Sequence, residues 1–103
     1  MAAEAANELG QSGKAANYVN MIRNRAGLAN TTAADQVTLR AAIKQERRIE
    51  FAMEFERFYD LVRWGDAPAV LGAKGYTDKN KYFPIPQEAI DKSQGVLVQN
   101  PNY

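Results

Sequence analysis

The chain contains no histidine and no cysteine. Without imidazole it lacks the commonest general base at neutral pH and the commonest metal ligand. Without thiols it has no disulfide and no thiol chemistry. Charge of one sign is also missing. Thirteen basic and twelve acidic residues leave a net charge of +1, no excess that would draw the chain to nucleic acid or an anionic membrane. No stretch approaches the roughly 20 apolar residues of a membrane-spanning helix. The alanine-rich start carries Glu4 and Glu8 and no basic region, so it does not read as a signal peptide. No glycine-rich phosphate loop and no nucleophile motif occurs. What remains is 103 residues, 46% of them hydrophobic, the size and composition of one small globular domain.

The most informative stretch is residues 46–64, a run of Glu, Arg, Phe and aliphatic residues with no glycine or proline. Extended back to residue 36, it reads as one helix. Steps of three and four place Leu39, Ile43, Glu46, Glu50, Met53, Arg57, Leu61 and Trp64 on one side. The same steps place Phe51, Phe55, Phe58 and Val62 on a second side. A surface helix needs one apolar stripe. Two stripes predict a central helix with chain packed on both sides.

Around it the punctuation is clear. Residues 2–9 form a short alanine-rich helix ended by Gly10. Residues 14–26 form a second, with Ala15, Tyr18, Val19, Ile22 and Ala26 on one face. Gly27 follows as a left-handed cap, with Arg23 and Arg25 in the last turn. The pair makes a helical hairpin, either an ordinary one or a tetratricopeptide-like one. Asp35 is the N-cap of the long helix, with Thr32 and Thr38 as competitors. Gly65 ends that helix, and Asp66 and Pro68 start a short one that stops at Gly72. The remainder is irregular. Pro84 and Pro86 force residues 82–86 to be extended, residues 87–92 form a turn or two of helix, and Phe83, Ile85, Ile90, Leu97 and Tyr103 are the tail's anchors.

Glu46 and Glu50, one turn apart in an apolar stripe, have the form of an acid–base pair or half of a metal site. A helix-borne metal site also wants histidine, and there is none. The competing reading is a buried charge network of Glu46, Arg47, Arg48, Glu50, Arg57, Asp60 and Arg63, with Glu54 as a further partner, because charges persist inside a protein only when paired. Glutamates interleaved with the arginines argue against RNA binding. Trp64, Tyr76 and Tyr82 are the candidates for stacking on sugar rings, against a packing role that fits Trp64 best.

Three segments together resemble the SusD/RagB family. The first is Tyr18-Val19-Asn20-Met21-Ile22-Arg23-Asn24-Arg25-Ala26-Gly27-Leu28. The second, in order and spacing, is Ala42, Ile43, Glu46, Arg47, Arg48, Ile49, Glu50, Phe51, Ala52, Glu54, Arg57 and residues 59–65. The third is Pro84-Ile85-Pro86-Gln87, Ile90, Gln99-Asn100-Pro101 and Tyr103. Two positions depart from the family pattern, which usually has glycine where Phe55 and Asn102 stand.

The resemblance implies an all-α fold. It consists of a short tetratricopeptide-like hairpin (1–27), a long central helix with a short following helix (35–72), and an irregular proline-containing tail (73–103) wrapping over them. It implies a non-enzymatic binding and scaffold portion of a cell-surface nutrient-capture lipoprotein of Bacteroidota that works with a TonB-dependent transporter. The expected chain is the C-terminal portion of such a protein, without cofactor or metal. Its glycan would be held mostly by upstream regions, and the lipid anchor would lie at the outer-membrane surface of the full-length protein. The apolar stripes of Met53, Leu61 and Trp64 and of Phe51, Phe55, Phe58 and Val62 predict self-association. A helical protein–protein adaptor using Tyr18 and Ile22, and a hydrolase using Glu46 and Glu50, are the other classes the residues allow.

Overall fold

The computed structural model describes all residues, Met1–Tyr103, and is entirely helical and irregular, with no strand. The order is α1 (Ala2–Glu8), α2 (Ser12–Arg25), α3 (Gln36–Glu50), α4 (Glu56–Trp64), α5 (Ala67–Leu71), two 3₁₀ turns (Gly72–Lys74 and Asp78–Lys81) and α6 (Gln87–Lys92). The all-α class and the N-terminal hairpin are as expected. The chain divides into two compact units, Met1–Phe55 and Glu56–Tyr103.

In the first unit α1, α2 and α3 pack together around Ala6, Ala15 and Leu39, with Ala16, Tyr18 and Ala33 against them. Alanine at the contact positions lets the short helices approach closely. Leu39, wholly inaccessible to solvent, is the one large side chain among these three core residues. Gly10 and Gly27, with φ of 73° and 74°, end their helices left-handed, a conformation glycine adopts at no steric cost.

Asn7, also wholly buried, ties α1 to the start of α3. Its Nδ2 donates to the Gln36 carbonyl at 2.9 Å, and Gln36 Nε2 donates to the Asn7 carbonyl at 2.9 Å. Asp35 is the N-cap of α3, its Oδ1 accepting from the amides of Val37 and Thr38, each at 2.9 Å. Arg40 closes the outer edge with a two-pronged contact to Glu8, at 2.8 and 2.6 Å.

The single long helix expected over 36–64 is not formed. α3 ends at Glu50, residues 51–55 are a turn, and α4 begins at Glu56. Met53 and Phe55 both take left-handed backbone, with φ of 70° and 62°. The apolar stripes therefore do not run through. Met53 is 94% and Phe55 91% exposed, whereas Leu39, Ile43 and Leu61 are buried and Phe51, Phe58, Val62 and Trp64 are half-buried. No glycine or proline announces the break. The remaining clue is the position of Phe55, where the resemblance described above leads one to expect glycine. A left-handed backbone explains that preference, since only glycine escapes the Cβ clash there. Asn102, the other departure, also sits left-handed at φ 69°, which asparagine tolerates better than phenylalanine does.

In the second unit α4 packs on α5, with Leu61, Ala67 and the carboxylate-bearing Asp60 buried. Gly65 (φ 75°) makes the corner. Helical winding does not stop at Gly72, as expected from the sequence, but passes into a 3₁₀ turn that Gly75 ends at φ 91°. The tail's anchors are also corrected. Phe83, Leu97 and Tyr103 are exposed and only Ile85 and Ile90 are half-buried, because polar side chains rather than apolar ones hold the tail.

Two outcomes are expected. Phe55→Gly relieves a left-handed phenylalanine that is almost bare of contacts, so it should stabilise the fold by about 1 kcal/mol in urea unfolding; a loss of stability would show that the ring is needed. The second concerns acid. The Arg40 hydrogen bond holds Glu8 below its ordinary 4.5, and the Thr38 hydroxyl and amide hold Asp35 below 3.8. Both groups bind protons more tightly unfolded than folded. Their stabilisation is thus complete above about pH 4.5 and is lost as pH falls through the lowered folded values. The urea midpoint should drop between pH 6 and pH 3, and by less in an Asp35→Ala, Glu8→Ala double variant.

Candidate functional site

Tail side chains and turns shape a concave aromatic surface in the second unit. Pro84 and Pro86 keep residues 82–86 extended and leave the Ile85 amide as the donor between them. Gln99 meets it with Oε1 at 2.8 Å and returns Nε2 to the Ile85 carbonyl at 2.9 Å, so one side-chain amide acts as a strand partner. Asn100 Nδ2 donates to the Phe83 carbonyl at 2.6 Å, and the Tyr103 hydroxyl donates to the Tyr82 carbonyl at 2.8 Å. On the other side Thr77 and Asn80 form a reciprocal cap. The Thr77 amide donates to Asn80 Oδ1 at 2.7 Å and the Thr77 hydroxyl to the same oxygen at 3.0 Å.

Between these walls lies a cleft of about 330 Å³ lined by Phe58, Leu71, Lys74, Gly75, Tyr76, Asn80, Tyr82, Phe83 and Tyr103. Phe58 meets the Tyr76 ring edge-on, with centroids 6.3 Å apart. The Tyr76 hydroxyl is buried and has no hydrogen-bond partner in the protein. Tyr82 and Phe83 leave much of their rings open to solvent, and Lys79 Nζ stands 5.2 Å from the centre of the Tyr103 ring. Lys81 is held above its ordinary value by the hydrogen bond to Asp78, at 3.0 Å. The arrangement offers aromatic faces with a few polar groups at the edge, which suits a ligand with both an apolar face and hydroxyls.

Of the three stacking candidates the structure brings Tyr76 and Tyr82 to this cleft. Trp64 is elsewhere, half-buried under the Arg63 guanidinium, which lies 5.0 Å from its ring. Phe83 and Tyr103, expected from the sequence to pack as tail anchors, instead line this cleft and remain exposed.

The charged residues singled out from the sequence also have defined places. Glu46 pairs with Arg23 and Glu50 with Arg25, both guanidiniums coming from α2 rather than from the same helix. Arg47 lies over the Phe51 ring at 4.8 Å. Arg63 Nη2 donates to Asp60 Oδ1 at 2.9 Å. Arg57 is half-buried in α4, and Arg48 and Glu54 are exposed. Glu46 and Glu50 are each engaged by a guanidinium. No group of three or more Asp or Glu side chains is clustered to hold a metal ion, and no helix is long and apolar enough to cross a membrane.

Comparison with known proteins gives a consistent result. The profile of the SusD family matches residues 1–103. SusD-like protein P2 of Formosa agariphila is 34% identical over 119 residues, covering 100% of this chain and 24% of that protein. SusD-like protein P25 of the same organism is 45% identical over 69 residues, covering 63% of this chain and 13% of that one. Among solved structures, a SusD-like protein from Bacteroides fragilis superposes with a TM-score of 0.84 at 35% identity, over 98% of this chain and 23% of its own. Surface glycan-binding protein A from Bacteroides thetaiotaomicron gives 0.75 at 37% identity, over 98% of this chain and 22% of its own. The chain thus spans about a quarter of the length of the full-coverage relatives it matches. With the sequence match and the helical superposition both running across essentially all its residues, the chain belongs to the SusD family.

Proposed function

We propose that the chain is a non-enzymatic binding and scaffold portion of a cell-surface glycan-capture protein that works with a TonB-dependent transporter. One observation carries the reading: 98% of the chain superposes, at 37% identity, on a surface glycan-binding protein. In this reading the full-length protein is lipid-anchored at the outer membrane, and this portion corresponds to its C-terminal part. The helical hairpin and α3 are framework. Binding and passing on a glycan needs no acid, base or nucleophile, which agrees with Glu46 and Glu50 each being engaged by an arginine.

The Arg–Glu pairs, with Asp60 and Arg63, are structural in this reading. The first two lock α2 against α3, and the third braces α4 from within. The two α2–α3 pairs differ in burial, which makes the role measurable. Arg23 and Glu46 side chains are 27% and 15% exposed, whereas Arg25 is 64% exposed. Removing Arg23 strands a mostly buried carboxylate and should cost about 1–3 kcal/mol in urea unfolding. Removing Arg25 should cost well under about 1 kcal/mol, since the solvent already screens that pair. Equal losses would contradict the assignment. Met53 and Phe55, bare at the turn, are the surface through which copies of the chain would associate; light scattering showing a strict monomer removes that part.

The functional reading is tested by a carbohydrate array and by capture on an immobilised TonB-dependent transporter from a Bacteroidota polysaccharide-uptake system. Glycan binding without turnover, or capture by the transporter, is the expected result. Release of reducing ends from any arrayed glycan, abolished by Glu50→Gln, would overturn it.

A further inference from the structure

We infer that the cleft in the second unit is itself a subsite for one hexopyranose ring of a glycan, stacked on Tyr82 and drawing on the Tyr76 hydroxyl. The inference rests on the glycan-capture reading above and adds a place on this chain, built from tail residues, where a sugar is held.

Size comes first. At about 330 Å³ the cleft is at the small end of ligand pockets, room for one ring and its substituents rather than for a long chain. Its lining then selects the chemistry. Phe58, Tyr76, Tyr82, Phe83 and Tyr103 present rings, and Tyr82 is 54% and Phe83 67% exposed, so these faces are reachable without rearrangement. A pyranose has an apolar C–H face that matches such a ring and a rim of hydroxyls that does not. Lys74 and Asn80 are the polar side chains of the lining besides the tyrosines, and they are the groups available to those hydroxyls.

The Tyr76 hydroxyl decides between a sugar and a wholly apolar occupant. Buried without a partner, it carries an unmet desolvation penalty. A hydrocarbon would leave it unmet, whereas a ligand hydroxyl supplies the missing partner once the Tyr76 side chain shifts to bring its closed-off hydroxyl to the cleft. The rings are also held in register. Tyr103 is bonded to the Tyr82 carbonyl, Asn100 to that of Phe83, and Gln99 to both polar groups of Ile85. Side chains of low conformational freedom on a pinned backbone lose little entropy when a ring stacks on them.

The test is amide chemical-shift mapping of the chain with a panel of soluble hexasaccharides of glucose, galactose, mannose and uronate. Expected are shifts confined to Phe58, Leu71 and residues 74–83 and 99–103. Tyr82→Ala should weaken binding about tenfold, the ~1.4 kcal/mol of a stacked ring, while Tyr82→Trp retains it. Phe55→Ala, which removes an exposed ring of the first unit, should leave binding unchanged. Tyr76→Phe should raise stability, since the orphaned hydroxyl is gone, and yet weaken sugar binding about threefold. Shifts that map elsewhere on the chain, or a Tyr82→Ala variant that binds as the parent does, overturn the subsite and leave the glycan-capture reading standing. Absence of binding by every member of the panel overturns the subsite too, and transporter capture then decides the wider reading separately.

Discussion

The rest of the structure depends on a backbone constraint at residues 51–55. There the chain turns left-handed twice, at Met53 and Phe55, and a helix cannot pass through two such residues. That break sets where α3 stops and α4 begins, and it coincides with the boundary between the two compact units. It also determines which apolar groups are used. Leu39 and Ile43 before the turn and Leu61 after it are buried, whereas the two left-handed side chains stand in solvent. The strain of a left-handed phenylalanine, of order 1 kcal/mol or more, is borne by packing on either side of it.

Each unit is held by a different kind of interaction. The first has a small core of alanines and Leu39, fastened at its edges by polar bonds: Asn7 with Gln36, Arg40 with Glu8, and Arg23 and Arg25 with Glu46 and Glu50. The second has little apolar core and relies on side-chain amides. Gln99 and Asn100 satisfy the backbone of the proline-held segment, and the cleft is a consequence of that stitching. The aromatic residues there are therefore free to face outward, which is the property a sugar-binding surface needs.

Much of the fold was legible in the sequence because it depends on local chemistry. Asp35, Gly10, Gly27, Gly65 and Pro86 mark helix ends by capping and backbone geometry, and each does so in the structure. The break at 51–55 was not legible, because the three-and-four periodicity of the apolar residues continues through it and no glycine or proline interrupts it. The expectation of glycine at the Phe55 position pointed to no turn by itself, because the phenylalanine there continues the apolar periodicity. The partners of Glu46 and Glu50 were hidden for another reason. Arg23 and Arg25 are 23 and 25 residues away, and in sequence they read as ordinary last-turn cations. Tyr76 and Tyr82 stood out beside a polar loop. Their convergence with Phe58 and Tyr103 depends on the path of the tail, which periodicity does not encode.

The most direct measurement of the central claim is amide hydrogen exchange along residues 36–64. The account predicts two protected blocks, within 40–50 and 60–64, separated by fast exchange at Met53 and Phe55, whose amides are not part of a helical ladder. Unbroken protection from residue 40 to residue 64 would show one continuous helix and would contradict the account.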